Sequence, residues 1–144
     1  MNEQLMIREI KNKQELETCF EIRKEVFVKG QNVSMELEID GEDDKATHIL
    51  VLLGKEAVGC ARIRIIDNKA KLERIAILDE YRGEGYGKDL VNFLVKFCIN
   101  KKVDEIYMHA QYYLKTFYSS LGFKERGEIF EEAGIKHIEM VYEK

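Results

Sequence analysis

The sequence predicts an α/β fold of the α+β kind, a mixed and mostly antiparallel sheet of about six to seven strands with about four helices. Three strand patterns follow one another between residues 48 and 77, separated only by short turns, which indicates an antiparallel meander. A helical pattern then separates the third of these strands from a strand at residues 104–110, and such a crossover joins parallel strands. Two last strands flank Ala133 and Gly134 and predict a closing hairpin.

The N-terminal part of the chain predicts one strand and one long helix. Residues 5–10 alternate weakly, as a first strand would. Asn12 can cap a helix, and Glu15 three residues later completes a capping-box pattern. Apolar residues then recur at helical spacing as far as Phe27, and Gly30 is a suitable C-terminal stop.

Residues 31–46 show no clear period and are strongly acidic. The acidic side chains are those of Glu36, Glu38, Asp40, Glu42, Asp43 and Asp44, against a single Lys45. A solvated surface loop is the favoured interpretation for most of these charges. The alternative is a lid or acceptor loop that attracts a cationic amine, because long loops in compact domains are often functional.

The second half of the chain predicts two further helices. The helix over residues 88–98 is apolar on nearly every side, so we expect it to be the most buried helix, packed on the sheet. A second helix is predicted over residues 112–121, and the closing strands over residues 123–130 and 136–142. Because no repeat or linker divides the chain, residues 1–144 are expected to form a single domain.

Composition excludes several classes of protein. The 144 residues carry a net charge of −4, so general affinity for nucleic acid or an anionic membrane is not expected. The chain shows neither an apolar leader nor a run of transmembrane length. Its three cysteines, Cys19, Cys60 and Cys98, are odd in number and lie in apolar segments, which predicts free buried thiols in a cytoplasmic protein. The spacing of its histidines and cysteines predicts no metal site.

The stretch from Leu72 to Cys98 is the main candidate for a binding site. It runs as a strand, a loop with alternate glycines at Gly83, Gly85 and Gly87, and a helix. Glycines leave the loop backbone accessible, and the helix N-terminus adds unpaired N–H groups and the positive end of its dipole. Such a loop is suited to phosphate or pyrophosphate. Arg82 and Lys88 flank it and add positive charge.

Nucleotide-binding motifs match this loop poorly. A P-loop requires serine or threonine after Gly87-Lys88, where this chain has Asp89. The dinucleotide fingerprint requires G-x-G-x-x-G, and here the glycines run G-x-G-x-G. A glycine-rich turn without a ligand also remains open at this point.

Arg82 to Gly87 fits the pattern R/Q-x-x-G-x-G/A and resembles the acyl-CoA pyrophosphate loop of the GNAT superfamily of N-acetyltransferases. Phe117 to Phe123 reads F-Y-x-x-L-G-F, similar to the GNAT helix along the pantetheine arm. Segments near both ends, such as residues 23–28 and 134–140, resemble a largely unassigned subgroup of these acyltransferases. The resemblance covers nearly the whole chain and implies an enzyme that transfers an acetyl group from acetyl-CoA to an amine.

The resemblance also implies which residues bind acetyl-CoA. The main chain of the strand before the loop would pair with pantetheine, and the loop would hold the pyrophosphate. Gln111 stands where many members have an asparagine that contacts the cofactor. The implied cofactor-binding residues are Ile75, Ala76, Ile77, Arg82, Gly83, Glu84, Gly85, Tyr86, Gly87, Lys88, Gln111 and Tyr118.

Two catalytic roles follow from the resemblance and from acid–base chemistry. Tyr118 would protonate the departing CoA thiolate, whereas an aromatic residue at helical spacing is, by itself, usually part of the core. Glu73 is the candidate base for the amine, acting through water, and is considered equally as a surface carboxylate paired with Arg62 or Arg64. His48 and His109 are further candidates for the base.

The expected partner is a small-molecule or peptide amine, without nucleic acid or membrane. An acidic acceptor loop favours a cationic amine. The closing hairpin and the strand containing Cys60 are candidates for a homodimer interface. Two alternatives from other classes are a non-catalytic acyl-CoA-binding or sensor module and a binder of nucleotide phosphates, which Asp89 disfavours.

Overall fold

The computed structural model describes residues 4–143, without the side chains of residues 36 and 37. It confirms the predicted mixed, mostly antiparallel sheet, with seven strands in the order β1-β2-β3-β4-β5-β7-β6. The strands are β1 (Leu5–Glu9), β2 (Thr47–Leu53), β3 (Glu56–Ile66), β4 (Lys69–Ile77), β5 (Glu105–Gln111), β6 (Phe123–Glu132) and β7 (Ile135–Tyr142). The α-helices are α1 (Lys13–Arg23), α2 (Met35–Glu38), α3 (Tyr86–Asn100) and α4 (Lys115–Ser119).

The predicted meander, crossover and hairpin are all present. Strands β1 to β4 pair antiparallel in chain order, and β6 and β7 form the closing hairpin. Strand β5 lies parallel to β4, as the intervening helix α3 predicts. On its other side β5 pairs antiparallel with β7, which joins the two halves into one sheet.

The two faces of the sheet have different cores. Helix α3 buries Leu90, Val91 and Leu94 against the main core, which also contains Tyr118 and Phe123. This burial confirms the prediction for the helix after the glycine loop. Helix α1 lies against the opposite face, where a smaller cluster includes Cys19, Ile22, Val26, Leu50, Cys60 and Ala76.

Helix α1 begins as predicted and ends differently. The backbone N–H of Glu15 donates to the Asn12 side chain at 2.9 Å, and the Glu15 carboxylate accepts from the backbone N–H of Lys11 at 2.7 Å. After Arg23 the helix widens into a π-helix over Lys24–Lys29, and Gly30 caps it. The single long α-helix predicted from Asn12 to Gly30 is therefore interrupted.

The acidic segment is only partly the solvated loop that its composition favours. Helix α2 and a 3-10 turn at Asp43–Lys45 occupy it, and Asp44 is exposed. Glu38 and Asp43 are buried, at 3% and 8% exposure, so the prediction is wrong for these two residues. Arg23 of helix α1 pairs with both carboxylates, and Arg74 of β4 and Arg62 of β3 each pair with one of them. Local sequence does not show this pairing.

One further expectation needs correction. The helix predicted over residues 112–121 is a 3-10 turn at Tyr112–Leu114 followed by the short α4. Strand β3 lies inside the sheet, between β2 and β4, and Cys60 is 1% exposed. All three cysteines are free and buried, as predicted. Within residues 4–143, none of the helices is long and apolar enough to cross a membrane.

Candidate active site at the splayed strands

Strands β4 and β5 pair over four residues and then separate. The parallel register runs from Lys69 opposite Glu105 to Leu72 opposite Met108. Beyond this point β4 still pairs with β3, while β5 pairs only with β7. The last residues of β4 therefore present main-chain groups toward a gap in the middle of the sheet.

A β-bulge in β4 marks the start of the gap. Arg62 faces Glu73 and Cys60 faces Ala76, so two residues, Arg74 and Ile75, oppose a single residue of β3. Arg74 has a positive φ of 52°. A bulge of this kind turns the strand and redirects its side chains, which bends β4 away from β5.

The gap opens into one cavity of about 900 Å³. Its walls come from the end of β4 that has no partner in β5, the glycine loop, α4 and the tip of the β6–β7 hairpin. A volume of this size accommodates a large ligand. Most of the predicted cofactor-binding positions line this cavity, among them Ile75, Ala76, Ile77, Arg82, Gly83, Gly85, Tyr86, Gly87, Lys88, Gln111 and Tyr118.

The glycine loop presents backbone to one end of the cavity. Gly83 and Gly85 have φ values of 86° and 85°, in the left-handed region that other residues disfavour. Gly85 is the N-cap of α3, where the structure shows no side-chain cap. Since the first N–H groups of a helix lack internal partners, this end of α3 can receive an anion. Arg82 lies beside it and donates from Nε to the carbonyl of Ile77 at 3.0 Å.

Tyr118 lies in the aromatic part of the main core and also lines the cavity. Its ring packs against Phe117 and Phe123, with centroids 5.1 and 6.2 Å apart. Burial raises the pKa of Tyr118 above its usual value. The phenol therefore keeps its proton at neutral pH.

Glu73 is held by cations on several sides. Its carboxylate contacts Arg64 at 2.6 Å, Arg62 at 2.9 Å and Lys71 at 3.2 Å. Burial by itself would raise the pKa of Glu73, but the bond from Arg64 and the neighbouring charges outweigh it and lower the pKa to about 2. The predicted pairing with Arg62 or Arg64 is present, but the Glu73 side chain is only 8% exposed and is therefore not a surface carboxylate.

Glu73 belongs to a larger set of matched charges, which we call the arginine cluster. Arg62 also contacts Asp40 at 2.8 Å and Asp43 at 3.0 Å. Positive and negative side chains are equal in number, so the cluster presents little net charge to an approaching amine. Its members are Arg23, Arg62, Arg64 and Arg74 with Glu38, Asp40, Asp43 and Glu73.

Gln111 bonds to another glutamine across the cavity mouth. Its Nε2 donates to Gln31 Oε1 at 2.8 Å, and Gln31 Nε2 donates back to Gln111 Oε1 at 3.1 Å. Both residues line the cavity. This reciprocal pair joins the segment after α1 to the end of β5.

The sequence reasoning missed Glu132 as a functional candidate. It lies at the end of β6 and lines the cavity together with His109 and His137. The register of the closing hairpin could have indicated it. Phe130 faces His137, and Glu132 follows two residues after Phe130 on the same face of the sheet. His48 lies elsewhere, buried under α1, with its Nε2 3.0 Å from the carbonyl of Asp43.

Comparisons with known proteins identify a family. A family model described as an acetyltransferase (GNAT) domain matches residues 8–144. The uncharacterized N-acetyltransferase YjcF of Bacillus subtilis is 37% identical over 132 residues, covering 91% of this chain and 94% of that protein.

Solved structures show the same fold. The crystal structure of Escherichia coli ElaA superposes with a TM-score of 0.87 at 30% identity and covers 97% of this chain and all of the other. PaiA N-acetyltransferase from Thermoplasma acidophilum, in complex with coenzyme A, gives a TM-score of 0.71 at 20% identity. That match covers 96% of this chain and 99% of the other.

Proposed function

Because the chain belongs to the GNAT acetyltransferase family, we propose that it transfers an acetyl group from acetyl-CoA to a primary amine by direct attack. One observation carries the proposal. The unpaired end of β4 and the positive-φ glycine loop open onto the same cavity, so one extended ligand can contact both.

The proposed cofactor position follows from these two features. The N–H groups of the loop from Gly83 to Lys88, with the Arg82 guanidinium, would hold the pyrophosphate. The pantetheine arm would lie along the main chain of Ile75, Ala76 and Ile77, where β4 has no partner in β5. A β4 N–H at this gap would polarise the thioester carbonyl.

We assign Tyr118 the protonation of the departing thiolate. A free thiol has a pKa of about 8.5 and a free phenol about 10, so the transfer is uphill by about 2 kcal/mol before burial acts. Burial disfavours the phenolate and an equally buried thiolate alike. The Tyr118 phenolate and the CoA thiolate would lie in the same apolar surroundings. Tyr118 therefore remains able to protonate the thiolate.

Glu73 is a weak acceptor for the proton of the amine. Moving a proton from a lysine-like ammonium of pKa about 10.4 to a carboxylate of pKa about 2 would cost about 11 kcal/mol. We propose that Glu73 orients a water molecule beside the thioester, held in place by Arg62 and Arg64. The proton then needs a different acceptor.

Calorimetric titration with acetyl-CoA tests the cofactor site, with NAD and ATP as controls. We expect micromolar affinity for acetyl-CoA alone in the wild type, and none in Gly85→Glu. That variant places a carboxylate and a Cβ at a positive-φ position in the phosphate loop.

Gly87→Ala is the matched control for this titration. Gly87 lies inside α3, where an added Cβ would meet Phe117 at an ordinary 3.7 Å. It should keep its affinity for acetyl-CoA. Equal losses in the two variants, or no acetyl-CoA binding by the wild type, would contradict the proposed site.

Arg62 and Arg64 already contact the Glu73 carboxylate, which makes it a poor base. This pairing also favours a second candidate, a non-catalytic acyl-CoA-binding or sensor module. Thiol release from acetyl-CoA separates the two, with spermidine, N-acetyl-lysinamide and glycinamide as acceptors. An enzyme should release CoA with at least one amine and slow by at least about tenfold in Tyr118→Phe. A sensor would bind acetyl-CoA and release none.

A further inference from the structure

The tip of the closing hairpin brings three side chains together on one wall of the cavity. They are Glu132 from the end of β6, His109 from β5 and His137 from β7. Glu132 Oε1 lies 3.7 Å from His109 Nδ1, and Glu132 Oε2 lies 3.7 Å from His137 Nε2. We call these three residues the hairpin triad.

One ring nitrogen of each histidine already has a hydrogen-bond partner away from Glu132. His137 Nδ1 is 2.7 Å from the carbonyl of Ile135, and a carbonyl only accepts, so Nδ1 carries the hydrogen. His109 Nε2 is 3.2 Å from Glu139, which Arg126 holds in turn at 2.7 Å. In their neutral forms the rings therefore turn bare nitrogens, His109 Nδ1 and His137 Nε2, toward Glu132.

Three hydrogen-bond acceptors thus converge with no donor among them. Separations of 3.7 Å are too long for direct hydrogen bonds, and His109 Nδ1 is buried without a hydrogen-bond partner in the described structure. Such a group favours a ligand that supplies several donors. A primary ammonium carries three N–H donors and a positive charge, which matches two imidazole nitrogens and one carboxylate.

We propose that the hairpin triad binds the ammonium group of the acceptor amine and that His109 Nδ1 accepts its proton. This assignment rests on the proposed acetyl transfer and names the acceptor site for it. The amine nitrogen then forms a bond to the acetyl carbon while the carbon–sulfur bond breaks. The first amine proton passes from His109 to solvent, and the CoA sulfur takes the proton of Tyr118. The second amine proton leaves the nitrogen as the amide forms and returns Tyr118 to its phenol form.

The position of the triad suits this role. Met108 is the last residue of β5 that pairs with β4, so His109 lies where the strands begin to separate. Its face of the sheet is opposite to α3, since Ile106, Met108 and Ala110 point into the main core. An amine bound there can approach a thioester in the gap from the side opposite the α3 core. The charged or titratable groups around His109 are Lys71, Glu73, Tyr107, Glu132, His137 and Glu139.

Nuclear magnetic resonance of the histidine rings tests the arrangement without needing turnover. We expect long-range ¹H–¹⁵N spectra of the CoA complex at pH 7.5 to show the hydrogen on Nε2 of His109 and on Nδ1 of His137. Two hydrogens on either ring would make the triad an internal ion pair, and the opposite tautomers would give Glu132 donors within the protein. Either result would overturn the proposal.

Titration of the same complex with ethylammonium chloride tests the ligand class. Both rings should shift saturably in the wild type and in Glu131→Gln, whose exposed carboxylate lies outside the cavity lining. Glu132→Gln should abolish the saturation. Tetramethylammonium carries the charge without N–H donors and should leave the rings unchanged. An equal response to both cations, or none to ethylammonium, would refute the ammonium site.

Kinetics with N-acetyl-lysinamide and glycinamide test the proton acceptor. We expect Glu132→Gln to raise KM for the amine by about tenfold or more, and His109→Gln to lower kcat by about 100-fold near pH 7. With glycinamide the loss in His109→Gln should shrink above pH 8, because an α-amine is then mostly unprotonated. A loss that is the same at every pH would indicate a structural role and overturn the assignment.

Two controls separate this inference from its premise. Both variants should bind acetyl-CoA like the wild type, and a wild type that fails to bind it would contradict the proposed function instead.

A metal ion is the rival occupant of two histidines and a carboxylate, although no such group within residues 4–143 has the arrangement of a metal site. Activity lost with a chelator and restored by Zn²⁺ would reassign the triad.

Discussion

The arginine cluster and the hairpin triad are two groups of charged side chains on the same face of the sheet, and they differ in how their hydrogen-bonding capacity is used. In the cluster, Arg62 is fully buried and contacts Asp40, Asp43 and Glu73 within 3.0 Å. In the triad, Glu132 is about half exposed and lies 3.7 Å from each ring.

The difference separates a structural role from a binding role. A buried charge without a partner is costly, so the cluster holds α1 and the acidic segment against the sheet only while every member is present. The triad lacks donors and lies at the cavity wall, so it gains most when a ligand supplies them. Charge density by itself does not reveal which of the two groups binds substrate.

Removing a cation from the arginine cluster should have the largest effect on stability. Arg62→Met removes one of the cations that contact the buried carboxylates of Asp43 and Glu73, and we expect it to lower the free energy of unfolding by about 3–5 kcal/mol. Urea denaturation measures this loss. Lys29→Met is the control, because Lys29 contacts Glu25 at 2.9 Å in an exposed pair that should contribute less than about 1 kcal/mol. Similar losses in both variants would show that the cluster is not structural.

Acid should weaken the arginine cluster as Glu73 takes up a proton. The pKa of Glu73 is lowered to about 2 in the folded protein, from an ordinary value of 4.5. A lowered folded-state pKa stabilises the fold above the unfolded value, and this stabilisation is lost as pH falls through the folded value. We therefore expect Glu73 to contribute about 3 kcal/mol above pH 5 that disappears between about pH 5 and 2.

Denaturation midpoints across this pH range test that expectation. Glu132→Gln is the matched variant, since it removes a carboxylate from the triad and leaves the cluster intact. Its stability should still fall with acid across this range, because Glu73 is unchanged. A flat wild-type profile down to pH 2 would show that Glu73 contributes no pH-dependent stability.

Neutralising the triad carboxylate should have the smallest effect on stability. Glu132→Gln should change the free energy of unfolding by less than about 0.5 kcal/mol, because Glu132 makes no contact shorter than 3.7 Å in the ion pairs of the described residues. Glu38→Gln, at a side chain only 2% exposed in the cluster, should cost about 1–3 kcal/mol. Thermal unfolding of the two variants measures the difference, and a reversed order would remove the distinction between the two groups.

Local patterns in the sequence predicted the elements that form the gap. An apolar, β-branched run predicted β2, alternation predicted β3, and the turn after β3 predicted β4. The crossover through α3 predicted that β5 is parallel to β4. The glycine spacing predicted the loop that presents its backbone at Gly83 and Gly85. These signals are short-range, because strand alternation, helix periodicity and glycine conformations depend on neighbouring residues.

The partners of the charged residues could not be predicted in the same way. Arg23 and Asp43 are 20 residues apart in the chain and 2.7 Å apart in the fold. Arg64 and Glu73 illustrate the exception, since an antiparallel hairpin places them on adjacent strands. The hairpin triad needs three strands in register, and sequence reasoning considered only His109 among its members as a candidate base.

The sequence by itself determined the fold class, the family and the loop suited to a pyrophosphate, because each depends on residues that are close together in the chain. Only the tertiary structure decided which charged side chains pair with one another and which remain available to a ligand. Pairing between charges depends on distances across the sheet, and those distances are set by the bulge at Arg74, the register of β5 and the packing of α1.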